Sequence, residues 1–170
     1  MNKLVTPVLA QSLLLLPAFA HADFLADSKA NLELRNFYYN KDFRQAGASQ
    51  SKAEEWAQGF LLHYESGYTE GDIGIGVDAI GLLGLKLDSG AERSASGLLP
   101  YSARTGRAAD EYSDLGVTAK LRASKSTLKI GTLLPKLPVV QYNDTRLLPQ
   151  TFQGGLLEVN EFDGLALQAG

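Results

Sequence analysis

Few side chains in this sequence could do covalent chemistry. It has no Cys and two His, one of them (His21) in an N-terminal segment expected to be removed, so His63 is the sole remaining imidazole. Without Cys there are no thiolate nucleophiles, disulfides or thiolate metal sites. One His and no Cys cannot make a zinc constellation either. A Ser–His–Asp hydrolase would need His63 as its base, yet that residue sits in the middle of an alternating stretch, and no G-x-S-x-G elbow occurs. A structural or pore-lining role for His63 is the better reading. Gly74-Ile75-Gly76-Val77-Asp78-Ala79 satisfies G-x-G-x-x-A, but a dinucleotide site needs a helix starting on that motif. Here the motif lies inside unbroken period-two alternation, where the glycines keep one strand face small. Asn143-Asp144-Thr145 is a glycosylation sequon by pattern only. No enzymatic activity, cofactor, metal or nucleic-acid partner is expected.

The chemistry that remains is electrostatic. Arg35, Lys86, Lys120, Arg122 and Lys129 fall on the polar side of alternating segments. They are either the solvated face of a soluble β-sandwich or cations pointing into a water-filled bore, as in anion-selective pores. A second polar group lies in Leu133–Phe152, where Lys136, Gln141, Tyr142, Asn143, Asp144 and Arg146 stand between Pro135, Pro138 and Pro149. Each proline removes a ladder donor, so the segment cannot be an interior strand. A loop of this length in a compact fold is usually functional or disordered. Its apolar residues, Leu137, Val139, Val140, Leu147 and Leu148, indicate that it packs, and folding inward would leave its polar residues lining a channel.

These groups are held by alternating segments. Ile73, Ile75, Val77, Ala79, Leu83, Leu85 and Leu87 share one parity; Asp72, Gly74, Gly76, Asp78, Gly84, Lys86 and Asp88 share the other, with Ile80 and Leu82 breaking its polarity. Similar alternation covers Ala30–Lys41, Trp56–Glu65, Leu115–Ser124 and Leu128–Leu134, and more weakly Leu156–Gln168. The Ile73–Leu87 run far exceeds the about 5–6 residues of a soluble strand and covers the about 9–11 needed to cross a bilayer at a tilt. No run of about 20 apolar residues is present, which removes a membrane helix but not a membrane barrel. The mean hydropathy of −0.09 fits both a barrel and a soluble protein. Connections run long, short, long, short, long, as in outer-membrane barrels, and aromatics cluster toward the strand ends. Residues 1–22, with Lys3, an apolar run from Val8 to Phe19 and Ala20-His21-Ala22, have the form of a secretory signal peptide.

The stretches LRNFYYNKDF, EEWAQGF, SGYTEG, GVDAIGLLGLKLDSG, GRAADEYSDLGVTAKLRAS and GTLLPKLPVVQYNDTRLLPQTFQGG resemble the OprD family of substrate-specific outer-membrane porins. The resemblance implies a barrel of about 18 up-and-down antiparallel strands in the outer membrane, monomeric or in loose homotrimers. It also implies passive uptake of amino acids or small carboxylates, a third external loop folded into the bore, and a ladder of basic side chains. Leu137–Gly155 matches that loop, which makes Tyr142, Asn143, Asp144 and Arg146 candidate constriction residues. Arg35, Lys120, Arg122 and Lys129 are the pore-lining basic candidates.

The sequence departs from the family in length. About six membrane-type strands are legible, fewer than the 8 of the smallest barrels. The expectation is therefore an all-β N-terminal portion of such a barrel over residues 23–170, with the inward loop at about 135–155. It would contact outer-membrane lipid and small anionic or zwitterionic solutes, and would be inactive by itself. The alternative is a soluble periplasmic β-sandwich acting as a binding or interaction module.

Overall fold

The computed structural model describes residues 21–170. The expected signal peptide lies almost wholly outside the described residues; helix α1, His21–Ala26, spans its expected end. The chain then forms β1 (Lys29–Asp42), β2 (Lys52–Glu65), β3 (Ile73–Asp88), β4 (Tyr101–Ser102), β5 (Arg107–Ala108), β6 (Glu111–Ala123), β7 (Ser126–Leu133), β8 (Phe152–Phe162) and β9 (Leu165–Ala169). Seven of these make one sheet in the order β1-β2-β3-β6-β7-β8-β9, while β4 and β5 pair as a ribbon inside the 89–110 loop. Every pairing is antiparallel between strands adjacent in the order, so the sheet is an up-and-down meander. It curls as part of a barrel wall. Strands β1 and β2 have 14 residues each and β3 has 16, lengths that suit a tilted bilayer crossing.

The strand count is a correction. Leu156–Gln168, expected as one weak strand, is two: β8 begins at Phe152, turns at Asp163-Gly164, and returns as β9. Gly164 takes φ 74° there, the left-handed conformation that a tight turn assigns to glycine. Connections alternate in length, with Ser124-Lys125 and Asp163-Gly164 at one rim and the 89–110 and 134–151 loops at the other.

Residues paired across the ladders share a face, which assigns each parity. One row runs Arg35–Gly59–Gly84–Tyr112 and another Glu33–Leu61–Leu82–Asp114. On this face both long loops pack, and Leu61 and Ala57 are fully buried. The opposite face carries Leu32, Leu62, Ile75, Leu115 and Val117, with Leu115 76% exposed and Val117 54%. Glu55, Thr118 and Lys120, by contrast, are at most 5% exposed. Burial is thus inverted relative to a soluble protein. A sandwich would cover its apolar face with a second sheet; here the apolar face is left open and the loops cover the polar one. This contradicts the sandwich alternative.

The covered face explains the residues that spoil its polarity. Ile80 and Leu82 join Leu61 in a small buried cluster completed by Leu134 and Leu148 from the 134–151 loop. The glycines of the same parity, Gly74 and Gly76, have a similar cause. A Cβ at Gly76 would lie 2.7 Å from the Gly67 carbonyl oxygen and 2.9 Å from Ser66 Oγ, and one at Gly74 would lie 3.0 Å from Tyr68 Cβ. The Ser66–Asp72 turn therefore folds back across a face kept free of side chains. Ser66 N–H donates to Val77 O and Thr69 N–H to Ile75 O, which holds it there.

The aromatics near the strand ends divide between the two faces. Tyr38 and Trp56 lie on the open face, where Tyr38 Oη donates to Glu54 and Trp56 Nε1 donates to Asn36. Phe37, Tyr39 and Tyr112 point the other way and pack on the cluster of Ala57, Leu98, Leu99, Ala108 and Leu147. Tyr68 is also on the covered side.

Candidate functional site

The covered face holds the charged candidates in two places, with Arg35, Asp144 and Arg146 at the long loops and Lys120 and Arg122 beside the Ser66–Asp72 turn. After β7, Leu133 gives way to a segment in which Lys136 pairs with Gln141, and Tyr142 N–H donates to Pro135 O. Pro135 and Pro149 are buried, so the prolines both break the ladder and pack. Leu147 is the anchor. It is fully buried among Ala57, Leu98, Leu99 and Ala108, and its side chain lies where a Cβ at Gly59 would come within 3.2 Å. Burying a leucine side chain is worth about 1.5–3 kcal/mol, enough to hold a loop end against the wall.

Polar contacts fix the rest of the segment. Asp144 receives both arms of Arg35, Nη1 to Oδ1 at 2.6 Å and Nη2 to Oδ2 at 3.2 Å. Glu33 takes Arg35 Nε at 2.6 Å. One guanidinium on β1 thus ties two carboxylates, and its planar fork suits such bidentate bonds. Asn143 Oδ1 accepts from Thr145 N–H and Oγ1, closing a local turn, and Gln150 N–H donates to Asn143 O. The Tyr142 ring lies under Lys136 Nζ at 5.5 Å. Arg146 forms no ion pair among the described residues; its guanidinium passes beside Gly97.

The other basic candidates separate into different environments. Lys120 Nζ sits 2.6 Å from Asp78 Oδ1 and donates to Ser66 O at 2.7 Å, with the Tyr68 ring centre 4.8 Å away. It is a buried structural ion pair rather than a free cation. Arg122 lies over the same ring at 4.4 Å, a cation–π arrangement that leaves its charge unmatched by any carboxylate within ion-pair distance among the described residues. Lys129 lines a polar cleft of about 190 Å³ with His63, Glu65, Asp78 and Thr118. Lys86 pairs with Asp110 in the 89–110 loop, and the ammonium holds the Asp110 carboxyl below the ordinary carboxylate range. Arg93 of that loop grips Asp88 with both arms at 2.8 and 2.7 Å, which keeps its guanidinium charged still more firmly than usual.

Sequence reasoning missed Glu33, Glu55, Tyr68 and Asp78. Glu33 was findable, because it has the parity of Arg35 two residues away. Tyr68 carried no signal, since it lies in a turn without periodicity.

A curled meander of long strands with an open apolar face, a loop-covered polar face and alternating short and long connections defines a membrane β-barrel wall of the outer-membrane type. The sequence profile described as outer membrane porin, OprD family, matches residues 22–170, and the chain belongs to that family of outer-membrane proteins. It is 46% identical over 156 residues to the porin-like protein GalP of Pseudomonas putida, covering 91% of this chain and 38% of that one. The fold superposes on the crystal structure of Pseudomonas aeruginosa OccK9 (OpdG) with a TM-score of 0.83 and 59% identity, over 86% of this chain and 38% of that one. The Pseudomonas aeruginosa OpdK structure with vanillate gives 0.75 and 52%, over 85% and 35%. The chain therefore spans about 38% of the length of such relatives.

Proposed function

We propose that the complete barrel built on these strands is a passive channel for small anionic or zwitterionic solutes, not an enzyme. In this reading the 134–151 segment narrows the bore, with Tyr142, Asn143, Asp144 and Arg146 at the narrow point and outer-membrane lipid around the wall. The carrying observation is the double attachment of that segment to the polar face, through Leu147 on β2 and Asp144 on β1. A water-filled bore lined by unmatched cations attracts anions, and a constriction selects among them. Arg122, Lys129 and Arg146 supply such cations. That the related OpdK holds vanillate, an aromatic carboxylate, fits the class. Loose trimers are compatible with the apolar open face but are not required by it.

The test is single-channel reversal potential across a salt gradient, made in the complete barrel. Arg146→Gln lowers anion preference. Asp144→Asn raises it, because Arg35 is then left with Glu33 alone. Identical potentials in wild type and both variants would remove this segment from the constriction.

A further inference from the structure

The most deeply buried carboxylate in the described chain lies beneath the 89–110 loop. Glu55 is 0% exposed, on the covered face of β2, and forms no ion pair among the described residues. Its carboxylate is satisfied instead by the 89–110 loop. Oε1 accepts from Ser89 Oγ at 3.2 Å; Oε2 accepts from Ser96 N–H at 3.2 Å and from Ser96 Oγ. A charge taken out of water persists only where such bonds replace hydration.

The loop is bent to deliver them. Ala95 and Gly97, on either side of Ser96, both have left-handed backbones, at φ 67° and φ 80°. Alanine rarely adopts that conformation unless its surroundings impose it. Neighbouring Ser94 is fully buried, with Oγ donating to Gly106 O at 2.9 Å, so the bend is held from both sides. The residues that follow carry the consequence. Gly97 backs onto the Arg146 guanidinium, where a Cβ would stand 3.5 Å from Nη2. Leu98 and Leu99, each 3% exposed, form the bed in which Leu147 is buried. Four consecutive residues thus run from the buried acid to the charge and the anchor of the 134–151 segment.

We propose that Glu55 is a positioning residue for the constriction: by fixing Ser96 it sets Gly97 against Arg146 and Leu98-Leu99 beneath Leu147. The 89–110 loop is then a wedge holding the 134–151 segment at its working depth in the bore. This rests on the reading of that segment as the narrow point, and the controls separate the two.

The experiment compares complete barrels carrying Glu55→Ala, Glu55→Gln, Ser96→Ala and Leu147→Ala, each first checked for folding by heat-modifiable gel migration. Single-channel conductance and reversal potential are then read for each. Glu55→Ala raises conductance and moves the reversal potential toward zero, as Leu147→Ala does. Glu55→Gln keeps an acceptor for Ser96 and stays near wild type. Ser96→Ala, a milder change on a loop, shifts both readouts in the direction of Glu55→Ala and decides the matter if that variant does not fold. A change with Leu147→Ala but none with Glu55→Ala or Ser96→Ala overturns the positioning role and leaves the channel reading intact. A change with Glu55→Ala but none with Leu147→Ala overturns the relay. No change in any variant overturns both.

Discussion

At the scale of single residues, the covered face shows how one parity can carry opposite tasks. Lys120 and Arg122 are two apart and touch the same tyrosine, yet Lys120 is locked to Asp78 while Arg122 is free of any acid among the described residues. Lys120→Met leaves Asp78 without its counter-charge. It should lower folding stability by about 2–3 kcal/mol, below the roughly 3–5 of a fully buried pair because Asp78 keeps some water. Urea unfolding from detergent or lipid measures this. Adding Asp78→Asn should recover much of the loss, and no recovery would show the two to be uncoupled. Arg122→Gln should leave stability nearly unchanged and reduce anion preference instead. Sequence parity put both residues on one face, as the ladder register does. It could not say which one a turn would fold over, because Ser66–Asp72 approaches from outside the alternation.

At the scale of elements, the long strands were legible and their sidedness only partly so. Alternation at Ile73–Leu87 reports which residues share a face, not which face meets lipid. Phe37, Tyr39 and Tyr112 show why: apolar packing beneath in-folded loops needs large residues on the polar parity as well. The β8–β9 turn at Asp163-Gly164 is hard to read because β9 has only five residues and β8 alternates weakly. The open face makes its own prediction. Val117→Arg, near the middle of β6, should cost about 2–4 kcal/mol of folding into lipid, and Ile75→Arg, near the start of β3, should cost less. A smaller penalty at Val117 than at a rim position would reverse the assignment of faces. The 89–110 loop adds a pH dependence. Asp110 is held below its ordinary pKa by Lys86, so its contribution is complete above the unfolded carboxylate's pKa of about 4 and is lost as pH falls through the lower folded value. Pepsin nicking of the loop should therefore rise across that acid window. In Asp110→Asn the dependence should flatten.

At the scale of the whole molecule, the family was legible because the motifs extend across the chain, while the energetic role of each loop was not, since it depends on contacts between residues as distant as Glu55 and Ser96. If the complete barrel is the proposed channel, three cations on its covered face without carboxylate partners among the described residues predict a selectivity that is mainly long-range. The screening length shrinks from about 10 Å at 0.1 M salt to about 3 Å at 1 M, so anion preference should fade over that range at a fixed gradient ratio. Preference that survives at 1 M would assign selection to direct contacts at the narrow point. The open face has a further consequence, for the journey rather than the destination. A protein bound for the outer membrane must first cross the inner one, whose insertion machinery retains segments of about 20 apolar residues. Here every lipid-facing residue is followed by one of opposite parity: Ile73 by Gly74, Val77 by Asp78, Leu121 by Arg122. In the extended chain the grease is diluted below what that machinery detects. It becomes a continuous surface only when neighbouring strands pair, so the chain stays secretable until the moment it folds.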